Sequence, residues 1–184
     1  MAQCKFGMAR IRSQIARTAL IGAVAAVSVP VSAATQTGVV SVVTIKPLNI
    51  INTAPLDFGS IIPAPAGGTV VINAQTGART STVVTLAGGP FSRARFVAAG
   101  TPLRVVTLSV NPSPAITITN GVSTMTINQL RVSADGGGPQ PFGPNHTLNA
   151  TGVINFDIGG RLNVGANQAP GLYTGTFTLT MDYQ

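Results

Sequence analysis

The sequence predicts an all-β protein folded as an antiparallel β-sandwich, and three observations carry that reading. From Tyr173 to Gln184 the chain alternates: Tyr173, Phe177, Leu179, Met181 and Tyr183 share one parity, and Thr174, Thr176, Thr178, Thr180 and Asp182 share the other. A period of two places the first set on a core face and the second in water. Only 8% of the residues are charged, while Val, Thr, Ile and Gly abound, which suits strands joined by tight turns. Beyond residue 33 no run has the period of a helix, and about nine to eleven short alternating runs are divided by Gly, Pro and Asn.

The first thirty-three residues read as an address rather than as fold. Lys5, Arg10, Arg12 and Arg17 make a basic start, Thr18 to Val31 is apolar, and Val31-Ser32-Ala33 places small residues at a cleavage position. The apolar run is shorter than the roughly twenty residues that span a bilayer, so a cleavable signal (1–33) is favoured over a permanent anchor. The remaining residues, 34–184, suffice for one domain. The division is a signal over 1–33, an N-terminal strand over 34–46 and a β-sandwich domain over 47–184. Cys4 leaves with the signal, so the exported domain has no disulfide of its own.

In chain order, Val39 to Lys46 is expected as the first strand, and Leu48 to Ile51 continues beyond Pro47, which cannot donate to a ladder. Leu56 to Gly59 follows, then Thr69 to Asn73 and Ser81 to Leu86, flanking the hairpin turn Gln75-Thr76-Gly77-Ala78. Arg93 to Ala98, Leu103 to Val110 and Ala115 to Thr119 come next. In Thr124 to Ala134 the apolar phase changes between Ile127 and Leu130, which predicts a β-bulge near Asn128. The Gly- and Pro-rich stretch Asp135 to Pro144 is expected to be the longest and most mobile loop. Gly152 to Ile158, Arg161 to Val164 and the final strand complete the chain, with Pro170-Gly171 as a turn and Phe156 in the core beside Phe177, Leu179 and Met181.

Charge and composition exclude several functions. The formal +7 falls once the signal's four cations are removed: Lys46, Arg79, Arg93, Arg95, Arg104, Arg131 and Arg161 then face Asp57, Asp135, Asp157 and Asp182, a net +3. That is too sparse for nucleic acid, and Arg93 with Arg95 reads as a solvated strand face. Residues 34–184 hold no Cys, Glu or Trp and one histidine, His146, which reads as an exposed loop residue. Neither a Ser-His-Asp arrangement nor paired carboxylates nor a metal-ligand set is visible, so the expectation is a non-catalytic protein without cofactor or metal. Asp57-Phe58-Gly59 lacks the other kinase motifs and reads as core contacts before a turn. The acceptor triplets at Asn145 and Asn149 are ordinary in a Thr-rich chain.

Three stretches together resemble a known family. Pro47-Leu48-Asn49-Ile50 with Leu56-Asp57-Phe58-Gly59-Ser60-Ile61-Ile62-Pro63 forms an opening; Gly67 to Ile72, Thr76-Gly77-Ala78-Arg79 and Ala94-Arg95-Phe96 form a middle; Ala166-Asn167-Gln168-Ala169-Pro170-Gly171-Leu172-Tyr173-Thr174-Gly175-Thr176-Phe177 forms an ending. The chain resembles the bacterial secreted family called domain of unknown function 4402, which is similar in turn to spore-coat-U-like proteins and to subunits of archaic chaperone–usher pili. The resemblance implies an incomplete immunoglobulin-like sandwich completed by a donor strand. It also implies copies of the chain or homologous subunits as partners, with a periplasmic chaperone and an outer-membrane usher, and neither nucleic acid nor a stable membrane anchor. Pilus-type relatives carry a cysteine near the place of Pro47, and this chain has none.

Two functions compete. In the first, a structural subunit of a cell-surface fibre or coat polymerises by donating Val39 to Ile45, whose face Val39, Ser41, Val43 and Ile45 enters a groove beside Tyr173, Phe177, Leu179, Met181 and Tyr183. In the second, the domain works alone as a secreted or periplasmic surface- or carbohydrate-binding module, for which only Phe91 and Phe142 stand in loops. Both place the protein in the periplasm, at the cell surface or outside the cell. Intact-mass measurement of secreted protein is expected to give a chain beginning within a residue or two of Ala34; a product retaining Met1 contradicts the signal reading.

Overall fold

The computed structural model of this chain describes residues 36–184. The signal expected over residues 1–33, with its cleavage position, lies outside the described residues. Residues up to Ser41 and residues from Val42 onward form separate units. The described residues contain no helix, and their strands follow as β1 (Asn49–Ala54), β2 (Ile61–Ile62), β3 (Gly68–Ile72), β4 (Arg79–Thr82), β5 (Thr85–Leu86), β6 (Ala94–Ala99), β7 (Val105–Asn111), β8 (Ile116–Thr119), β9 (Thr124–Ala134), β10 (Asn145–Thr147), β11 (Val153–Val164) and β12 (Thr178–Tyr183). Every pairing is antiparallel. A seven-stranded sheet holds β1, β3, β4, β6, β8, β9 and β11, a three-stranded sheet runs β10-β7-β12, and β2 pairs β5. The core between the two larger sheets makes the β-sandwich that the alternation predicts.

Strand β11 organises the large sheet. Its Ile154, Phe156, Ile158, Leu162 and Val164 share one parity and are all buried. Along one edge it pairs β6 from Val153 to Ile158 and then β3 from Gly160 to Val164; the other edge carries β9. The change of partner falls at Gly159, where a Cβ would strike the Ile72 carbonyl and the Ala74 nitrogen. The predicted bulge is present. Gly159 pairs Arg131 and Arg161 pairs Asn128, so Gln129 and Leu130 together oppose Gly160. Gln129 takes a φ of 50°, and the extra residue returns Leu130 and Val132 to the buried face already occupied by Met125 and Ile127.

Strand β12 keeps its predicted parity: Met181 is buried, Leu179 and Tyr183 are half-buried, and Thr178, Thr180 and Asp182 are exposed. The strand itself begins later than the alternation, at Thr178; ahead of it Thr174 bridges Thr119 on β8 before the chain crosses to the second sheet. Phe177 is only partly covered, edge-on to Phe96 at 6.1 Å between ring centroids.

Several expectations change. Val39 to Lys46 forms no strand: residues 36–48 carry no secondary structure and 36–47 are exposed, since a strand needs a neighbour to satisfy its backbone. Leu56 to Gly59 contributes only the Asp57–Ser92 bridge. The run 81–86 divides at Val83, whose φ of 67° turns the chain between β4 and β5. The two runs on either side of Gly159 are one strand. Residues 165–177 outrun 135–144 as the longest connection, and Gln140 in the Gly- and Pro-rich loop bridges Val132. Arg93 is not solvated: it is 17% exposed, pairs with Asp157 at 3.1 Å and donates to the carbonyls of Ala74 and Gln75, tying the β3–β4 turn to β11.

His146 also departs from its expected place. It stands half-buried in β10 opposite Val106, with its ring edge-on to Phe156 at 5.3 Å, and Nε2 is buried without a partner. Burial lowers its pKa from the ordinary value of 6.5.

Two predictions follow from this packing. Phe156→Ala is expected to cost about 3–5 kcal/mol, the range for a fully enclosed ring, Phe177→Ala roughly half of that, and Thr178→Ala under about 1 kcal/mol. Denaturant unfolding of the three variants checks the order. For His146, the unfolded chain takes up a proton below pH 6.5 that the folded chain resists, so stability is intact above that pH and falls as pH drops through it. Unfolding midpoints at pH 7.5 and 5.0 are expected to fall more steeply in the wild type than in His146→Leu; equal slopes contradict the assignment.

Candidate functional site: an open groove beside a free strand edge

The inward residues of β8, β9 and the second half of β11, namely Ile116, Ile118, Met125, Ile127 and Leu162, form the floor of an open cavity of about 600 Å³. One wall is the segment Pro55 to Ile61 with Pro90, and the other is Gly171 to Gly175 with Phe177. The first wall is fixed from behind. Asp57 and Ser92 exchange backbone bonds of 2.8 and 2.9 Å, and the Ser92 hydroxyl donates to the Pro55 carbonyl at 2.7 Å. The Asp57 carboxylate accepts from the Gly59 N–H at 2.8 Å, and Phe58 is buried in the core. Arg79 donates to the carbonyls of Phe58 and Ala87 while lying 4.5 Å over the Phe91 ring.

The second wall is held by side chains within its own loop. The Tyr173 hydroxyl donates to the Ala169 carbonyl and accepts from Gln168 Nε2, each at 2.8 Å, and the Gly165 N–H donates to Gln168 Oε1 at 3.1 Å. Gly175 lies so close to β8 that a Cβ there would meet the Thr117 carbonyl at 2.6 Å.

From Phe177, which lines the groove, the chain passes into an unpaired edge. Strand β12 pairs only β7. The Gln184 N–H donates to the Val105 carbonyl, and the alternation of an antiparallel ladder then turns the backbone groups of Thr178, Thr180 and Asp182 toward β7 and those of Leu179, Met181 and Tyr183 outward. An edge with outward N–H and C=O groups next to an apolar trough can receive another extended chain, which takes backbone bonds from one and side-chain pockets from the other.

Of the residues marked in sequence, Tyr173 and Phe177 line this groove. Leu179 and Met181 instead pack toward the core beneath the free edge, and Tyr183 stands at the far end of β12. Val39, Ser41, Val43 and Ile45 are exposed; Val39 is 94% and Val43 73% accessible. The floor residues are themselves buried, none more than 9% exposed, and the groove opens between the two walls above them. Among the described residues no three His, Cys, Asp or Glu side chains gather as metal ligands, and no helix is long and apolar enough to cross a membrane.

A search of curated proteins finds no match to the chain. The family model described as Domain of unknown function (DUF4402) matches residues 48–183, which takes in both walls, the floor and β12 and begins directly after Pro47. With the whole sandwich inside that match, the chain belongs to the DUF4402 family.

Proposed function

We propose that this protein is an exported, non-catalytic structural subunit of a cell-surface fibre or coat, and that it assembles by laying residues 39–45 of one copy into the groove of the next. The observation that carries the reading is the combination of an open groove with an apolar floor and the outward backbone of β12, in a chain whose residues 36–46 are rich in Val, exposed and without a strand. The lengths agree: seven extended residues span about 23 Å and the six residues of β12 about 20 Å. The placement agrees as well. The floor lies at the Leu162 end of β11, where Leu162 pairs Ile127, while Lys46 is bonded to Thr101 in the loop after β6, whose Ala99 pairs Val153 at the opposite end. A contact joining different patches of identical chains is heterologous, and if its rotation does not close, it propagates as a filament. A periplasmic chaperone that holds the groove before assembly and an outer-membrane usher fit the same scheme.

Removal of residues 34–45, leaving Lys46 in place, is expected to give a poorly soluble protein because the groove loses the strand proposed to fill it. The peptide 38–45 restores solubility, and Val43→Asp abolishes polymers while leaving the groove able to take the peptide. Size-exclusion chromatography and electron microscopy read both. A stable monomer indifferent to the peptide overturns the reading in favour of a solitary surface- or carbohydrate-binding module.

A further inference from the structure

The N-terminal segment is fastened at a single residue. The Lys46 N–H donates to Thr101 Oγ1, the Lys46 carbonyl accepts from the Tyr183 hydroxyl, and the Thr101 N–H donates to that same phenol oxygen, each bond at 2.7 Å. Lys46 and Tyr183 are 137 positions apart in sequence. The seat for the phenol is built by Gly100, which is buried and has no room for a side chain: a Cβ there would strike the Tyr183 oxygen, and would come within 2.8 Å of Leu48 Cδ2 and 3.1 Å of Leu148 Cδ1. The phenol thus joins three elements, namely the last strand, the loop after β6 and the root of the N-terminal segment. From residue 36 to Ile45 the chain is exposed and carries no strand; after Pro47 it enters β1.

We propose that Tyr183 and Thr101 form a clamp that fixes the point and direction at which residues 36–45 leave the domain, and so sets the angle between successive subunits. This rests on the strand-donation reading and adds to it a joint. With both backbone groups of Lys46 held, rotation about its neighbouring bonds is the last freedom removed before the donor enters another copy. The clamp also ties the donor's root to β12, the strand whose outer edge receives the preceding copy's donor. Tyr183 acts here through Lys46 and is a positioning residue.

The test uses the mature chain, residues 34–184, carrying Tyr183→Phe or Thr101→Val. Either change removes one polar atom and keeps the side chain's bulk. Losing one net hydrogen bond is expected to speed amide exchange about five- to tenfold, at Thr101 in Tyr183→Phe and at Lys46 in Thr101→Val, with core amides such as Phe156 unchanged. In electron micrographs both variants still form fibres, and the spread of angles between successive subunits widens at least about twofold, as expected when a held residue regains its backbone freedom. Should Tyr183→Phe fail to fold, Thr101→Val, in a loop away from the core, decides alone. Variant fibres with the wild-type spread of angles overturn the clamp and leave strand donation standing. A wild-type chain that forms no fibres overturns strand donation and the clamp together, and the two failures are told apart by whether fibres exist at all.

Discussion

The structure depends on one strand shared along one edge by two neighbours. β11 gives its first half to β6 and its second half to β3 on the same edge, and for both to reach it their ends must meet beside it. Only a residue without a side chain leaves that room, and Gly159 stands there against the backbone of Ile72 and Asn73. The adjoining Gly160 answers a demand from the other edge, where β9 places two residues, Gln129 and Leu130, opposite it. The bulge and the glycines are therefore parts of one arrangement: the sheet bends at the point where its partners change, and the β9 bulge there keeps Ile127 and Leu130 on the same buried face.

The bend also explains the groove. The first half of β11 faces the second sheet, where Phe156 meets His146 of β10. Along the second half lie β8 and β9, and there the groove opens between its two walls, over inward residues that are themselves buried. Fully burying an aliphatic side chain is worth about 1.5–3 kcal/mol, and since the floor is already buried, that gain comes from the exposed Val39, Val43 and Ile45 of an entering strand. Arg79 and Gln168 matter for the same reason. By donating to carbonyls that no strand satisfies, Arg79 toward Phe58 and Ala87 and Gln168 toward Thr124, they hold open walls that would otherwise have unpaired backbone.

Local features of the fold were legible in sequence wherever side-chain parity was the deciding physics. The parity of Tyr173 to Tyr183, the bulge at Asn128 and the turn at Gln75 to Ala78 all rest on near neighbours. What failed rests on distant ones. His146 between two polar residues looks solvated until β7 and Phe156 enclose it, and Arg93 looks like a surface cation until Asp157 arrives from β11. Val39 to Ile45 has every local mark of a strand and forms none, because strand propensity is satisfied only by a partner edge. The site was half visible for the same reason: Tyr173 and Phe177 could be named, whereas the free edge of β12 is a property of what does not pair with it.

The penultimate tyrosine shows how the two kinds of information combine. Parity alone assigns Tyr183 to the inner face with Leu179 and Met181, and its ring does pack against the core. Phenylalanine would serve that packing equally well. The hydroxyl is what requires explanation, since a half-buried phenol oxygen must find partners, and it finds them in Lys46 and Thr101 rather than within its own sheet. The alternation thus places the residue, and its one polar atom links the end of the chain to the root of the segment that precedes the domain. A strand that is free along one edge and fastened at its last residue can accept a partner without releasing its own.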